Sequence, residues 1–217
     1  MTTVGVGVGG CSGDTEHQLE SVASAAEVRW EDDPGDPLEV GPLDGQNGWI
    51  RAPGFGSADV VTWAADNRVI KLASDVDGQP RVVMGKEVLR QTAGHHVLEL
   101  DVMVEHPNLA NLTTLDLNTD PRTVEECEWA TKKLRFYFGS AIRIETGPGP
   151  DPVSDTLVPQ VVAGQWYHLR ADIDLNNEVV SVWLGADLTA VNNRPLGPGP
   201  IVGLSLAGWD GVGQANA

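Results

Sequence analysis

Short runs of period-two alternation, cut at close intervals by Gly, Pro, Asn and Asp, constrain this chain more than any other feature. They cover 58–63, 68–72, 81–84, 96–105, 112–117, 133–145, 157–163, 165–174, 178–184 and 201–206. Successive side chains on a strand point to opposite faces, so each run can bury one face and wet the other. Many such runs at this spacing predict an antiparallel two-sheet sandwich. The 25 glycines and 14 prolines supply the turns, and 217 residues suit one all-β domain.

The formal charge of −17 excludes nucleic acid as an expected partner, because phosphate binding needs clustered Lys and Arg. Anionic membrane surfaces are disfavoured for the same reason, and no apolar run is long enough to span a bilayer. Two cysteines, Cys11 and Cys127, do not make a disulfide framework.

Residues 1–27 are expected to form a flexible arm or short helix ahead of a sandwich over 28–217. Val4 to Gly10 is small and uncharged and ends at Cys11, like the tail of a lipoprotein signal whose cysteine is lipidated, although the charged start and long leucine-rich centre are missing. Leu19, Val22, Ala23 and Ala26 have helical spacing behind Asp14 as a cap. A second short helix is expected from the capping box Thr123-Val124-Glu125-Glu126. The clearest hairpin spans 165–184, with Asn176-Asn177 expected to take the positive φ of its turn.

The stretch Leu43-Asp44-Gly45-Gln46-Asn47-Gly48-Trp49, with Trp30-Glu31-Asp32, Ala58-Asp59-Val60-Val61, the 98–102 strand and Gly164-Gln165-Trp166-Tyr167-His168-Leu169, resembles the concanavalin-A-like lectin/glucanase superfamily. More narrowly it is similar to laminin-G-like modules of bacterial secreted and surface proteins. The resemblance implies a jelly-roll sandwich, an extracellular or cell-surface setting, and a carbohydrate or adhesion partner. It leaves function open, since lectins, glycosidases, lyases and virion components share the fold. Such modules continue into one more strand beyond the equivalent of Gly208 to Ala217, so the C-terminal edge is expected to be incomplete and available for self-assembly.

Three sets of residues can carry chemistry. Glu99, Asp101 and Glu105 fall on one face of a strand, as the carboxylates of a retaining glycosidase do. The laminarinase-like array in the same superfamily is Glu-x-Asp-x-Glu or Glu-x-Asp-x-x-Glu; here the last spacing is longer and Met103 intervenes. The alginate-lyase branch would use arginine, histidine and tyrosine, types that Arg135, Tyr137, His168 and Arg170 supply without the motif spacing. Outward positions of three strands give the second set: Trp166, His168, Arg170, Trp183, Arg135 and Tyr137. Aromatic rings beside hydrogen-bonding groups suit sugars, whose C–H faces stack while their hydroxyls need fixed partners. Asp172, Asp174 and Asn176 form the third set, oxygen ligands near a turn that could take calcium, although the glycine and final glutamate of a calcium loop are missing. The five histidines show no zinc spacing.

These readings lead to an extracytoplasmic, non-catalytic module that binds a glycan or surface polysaccharide, with no cofactor unless calcium. Two alternatives stand beside it: a polysaccharide hydrolase or lyase using the carboxylates of the 99–105 strand, and a structural subunit of a virion or filament.

Overall fold

The computed structural model describes residues 2–11, 38–52, 57–63, 67–73, 81–104, 107, 111–119, 132–147, 153–185 and 189–210. The first seven strands are β1 (Thr2–Cys11), β2 (Gly41–Pro42), β3 (Trp49–Arg51), β4 (Ser57–Trp63), β5 (Asn67–Ala73), β6 (Arg81–Gln91) and β7 (His95–Val104). Eight more follow: β8 (Asn111–Asn118), β9 (Lys132–Phe138), β10 (Ile142–Thr146), β11 (Val153–Val158), β12 (Trp166–Asp174), β13 (Val179–Leu184), β14 (Thr189–Pro195) and β15 (Ile201–Asp210). No helix occurs among the described residues.

All recorded strand pairs are antiparallel, in two sheets. The first sheet has the order β14-β13-β12-β7-β1-β5-β4-β2, and the second β11-β10-β9-β8-β15-β6-β3. This is the all-β sandwich expected of the alternating runs, consistent with a jelly roll. Its core lies between the sheets: Leu98, Leu100 and Val102 of β7 and Leu169, Ala171 and Ile173 of β12 face Leu115, Leu134, Phe136, Phe138, Ile142 and Ile144 of the other layer, all buried. Along these strands the buried residues fall at alternate positions, as a half-buried strand requires.

The two ends of the described chain add detail. The glycine-rich start is drawn in as β1, hydrogen-bonded between β7 and β5. Val4, Val6 and Val8 stand opposite Val102, Leu100 and Leu98, while Gly5 and Gly7 stand opposite Asp101 and Glu99, so the Val-Gly alternation carries a strand's period. The helices expected near 14–28 and at Thr123 lie outside the described residues. The last described strand, β15, is paired on both sides, by β6 and β8; the self-assembly expected at the C-terminal end concerns residues that reach beyond those described.

The motif from Leu43 to Trp49 proves structural. Gly45 N–H donates to the Trp49 carbonyl at 2.7 Å and Trp49 N–H to that of Gln46 at 2.8 Å, with Gly45, Asn47 and Gly48 all at positive φ. The Gln46 amide ties Glu39 and Pro42 to the same turn, and the Trp49 ring is fully buried. This knot carries the chain from β2 of one sheet to β3 of the other. At another seam Arg194 of β14 donates to both carboxylate oxygens of Asp155 on β11, at 2.6 and 2.5 Å, joining edge strands of the two sheets. The Lys133 ammonium, buried in the second layer, donates to the carbonyls of Gly197 and Gly199 at 2.5 and 2.8 Å and fixes the approach to β15.

Gly208 of β15 lies against Leu72 of the first sheet and Val82 of its neighbour β6. A Cβ there would lie 3.3 Å from Val82 Cγ1 and 3.6 Å from Leu72 Cβ. Gly208→Leu should therefore overpack the interior and destabilise the fold by about 1–3 kcal/mol. Urea denaturation checks this, and an unchanged midpoint would contradict the close approach.

Candidate functional site

Strand β12 lies between β7 and β13, and its register decides which side chains meet on the outer face of the first sheet. His168 stands opposite Asp101, Arg170 opposite Glu99 on one side and Trp183 on the other, and Asp172 opposite Ser181. Directly paired residues on one face are close enough to interact. His168 Nδ1 is 2.9 Å from Asp101 Oδ1. Arg170 donates from Nε to Asp172 Oδ1 at 2.9 Å and from a terminal nitrogen to Glu99 Oε1 at 3.4 Å. Its guanidinium carbon lies 6.0 Å from the centre of the Trp183 ring, a cation–π contact.

Together Glu99, His168, Arg170, Asp172, Trp183 and Gly185 line a shallow, open pocket of about 360 Å³. Gly185 closes the rim at φ +72°, a conformation that favours glycine, and its N–H donates to the His168 carbonyl at 2.9 Å. The pocket unites members of all three sets read from the sequence: Glu99 of the carboxylates, three of the aromatic and cationic residues, and Asp172. Asp101 joins through His168. Glu105 lies outside the described residues, and Met103, between it and Asp101, is buried.

Three residues of the expected binding face go elsewhere. Trp166 packs with Val61 against buried Val69, forming a small apolar cluster of its own instead of lining the pocket. Arg135 and Tyr137 belong to β9 of the second sheet, because the same alternation recurs on both layers and a sequence does not say which layer a strand joins. There Arg135 donates to both oxygens of Asp116, at 2.6 and 2.9 Å, and to the Tyr137 hydroxyl at 3.2 Å; Tyr137 in turn donates to Glu145 at 2.6 Å.

Asp116 is the residue that sequence reading missed. Asp116 to Asp120 reads as an ordinary turn, yet Asp116 is buried in the middle of β8. The signal was the flanking alternation, Thr114, Asp116 and Asn118 against Leu115 and Leu117. Burial pushes the Asp116 carboxyl up, against the opposite pull of Arg135 and Lys132. Burial pulls the Arg135 guanidinium down, but its hydrogen bonds to Asp116 more than offset that and hold it above its ordinary value.

The oxygens considered for calcium are met by N–H donors. Asp174 accepts from the backbone of Asn176 and Asn177 and from the Asn177 side chain at 2.6 Å, bonds that hold its carboxyl below the usual range. Asn176 Oδ1 accepts from Gly94 N–H at 3.0 Å, and Asp172 from Arg170. These bonds shape the β12–β13 turn, whose positive φ falls on Glu178 and not on either asparagine. Among the described residues no group of three or more His, Cys, Asp or Glu is arranged to hold a metal ion.

No family model matches the chain, and no curated protein is similar to it. Among solved structures, a sialidase superposes on 74% of this chain with a TM-score of 0.48 and 13% identity; the match spans 13% of the sialidase. The Emp47p carbohydrate recognition domain superposes on 80% of this chain and 95% of its own length, with a TM-score of 0.27 and 11% identity.

The second-sheet network sets a pH response. With its folded pKa raised above 3.8, Asp116 holds its proton to a higher pH in the native state than in the unfolded chain. Its contribution to stability is thus full below 3.8 and is lost as pH rises through the native value. Asp116→Asn should flatten the fall of stability with rising pH in the window just above 3.8, as read by urea midpoints across that range. An identical slope in variant and wild type would show that Asp116 does not carry it.

Proposed function

We propose that this domain is a non-catalytic carbohydrate-recognition or adhesion module, working outside the cytoplasm, that binds a saccharide in the pocket over β7, β12 and β13. The observation that supports this reading is the convergence of one indole face with four hydrogen-bonding side chains in a single open pocket of about 360 Å³. That volume falls within the range of small-ligand sites, about 300–1,000 Å³. A sugar ring can lay its C–H face on Trp183 while Glu99, His168, Arg170 and Asp172 meet its hydroxyls. Bonds among those polar groups hold them in place before a ligand arrives, which lowers the ordering cost of binding.

Glu99 and Asp101, two positions apart on one strand face, support a hydrolase as the second reading. Each already takes a hydrogen bond from a cationic or imidazole partner, Arg170 or His168, an arrangement that favours holding over turning over. New reducing ends from a mixture of polysaccharides would reverse that preference; unsaturated uronate products would do the same for a lyase.

A glycan array followed by titration calorimetry on the best-retained saccharide tests the proposal. Trp183→Ala should weaken binding by about tenfold or more, as loss of a central aromatic anchor does. Its stability should fall by no more than about 1 kcal/mol, because the half-buried ring packs on the outer face and outside the core. Trp166→Ala should do the reverse, lowering stability through Val69 and Val61 while folded protein keeps its affinity. Loss of binding in Trp166→Ala with none in Trp183→Ala would move the site off this pocket.

A further inference from the structure

The charges in the pocket are unevenly shared. Glu99 and Asp172 contribute two carboxylates to the lining, against the single guanidinium of Arg170. That guanidinium is already divided between them, Nε to Asp172 and a terminal nitrogen to Glu99. A third carboxylate, Asp101, stands one pair of residues along β7 and holds His168 at 2.9 Å. Counted together, three carboxylates face one guanidinium and one imidazole, so the site keeps a net negative charge beside an indole face even when the imidazole is protonated, within a chain whose formal charge is −17.

This arrangement works against an anionic sugar. A uronate or any other acidic saccharide would have to take Arg170 from Glu99 and Asp172, and would approach through the repulsion of the whole chain. A protonated amine meets the opposite situation. It can donate to the surplus carboxylate. We infer that the pocket selects a saccharide bearing a free, protonated amino group, a 2-amino-2-deoxyhexose unit, in preference to its N-acetylated form and to uronates. The inference rests on the saccharide reading above and adds to it the class of sugar.

Three disaccharides with the same β-1,4 linkage separate the possibilities: a glucosamine dimer, its N,N′-diacetyl counterpart and a diuronate. Calorimetry at mildly acidic pH, where the sugar amine is charged, should find the glucosamine dimer bound about tenfold more tightly than the diacetyl dimer. That is the scale of one partly screened charge pair at a protein surface. The diuronate should show no heat of binding. The double variant Glu99→Gln with Asp172→Asn should bring the glucosamine dimer down to the diacetyl level. Trp183→Ala keeps every charge and so controls for attraction between a cationic sugar and an acidic protein: it should weaken the glucosamine dimer by about tenfold or more. Glucosamine binding unchanged by Trp183→Ala would overturn the inference. So would equal or tighter binding of the diacetyl dimer, binding of the diuronate, or binding of none of the three. In these cases retention of a different saccharide on the array leaves the saccharide reading standing, whereas an array that retains nothing removes both.

Discussion

A slip of one residue in β12 against β7 would turn Tyr167, Leu169, Ala171 and Ile173 out of the interior and drive His168, Arg170 and Asp172 into it. Those four apolar side chains are buried against the opposite layer, so the slip is forbidden by the burial of the core. The same register that closes the interior sets Asp101 opposite His168, Glu99 opposite Arg170, and Arg170 opposite Trp183 on the far side. The pocket is thus a by-product of core packing: its residues hold their places because the alternate residues of the same strands have nowhere else to go.

The two outer faces put the same kinds of side chain to different uses. On the first sheet, Arg170 and His168 remain open to solvent and their partners line a pocket. On the second, Asp116 is almost wholly covered and Arg135 grips it with two hydrogen bonds, with Tyr137 and Glu145 extending the chain of contacts. Charge pairs in water contribute little to stability, while a covered carboxylate is costly if its partner is removed. The exposed set is therefore free to serve a ligand, and the covered set is committed to the fold.

Strand positions and the sidedness of each strand were legible in the sequence because a half-buried strand must alternate. Phe136, Phe138, Ile142 and Ile144 fall at alternate positions of the 133–145 run and lie inside; His168, Arg170 and Trp183 read outward and meet in one pocket. Pairing between distant strands was not legible. Nothing local in 95–104 announces β12 as its neighbour, and so Glu99 and Asp101 read as a catalytic candidate separate from the binding face they adjoin. Arg135 and Tyr137 were grouped with the wrong layer for the same reason. The strand at Thr2–Cys11 was obscured by composition: glycine at every second position weakens the strand signal, although the valines between keep its period.

Mapping a bound saccharide by backbone amide chemical shifts, with the best-retained sugar from an array, tests the central claim most directly. The account predicts that the shifts concentrate on 99–101, 168–172 and 183–185, the stretches of β7, β12 and β13 around Trp183. Shifts centred instead on Asp116, Arg135 and Tyr137 would place the ligand on the other sheet and contradict it.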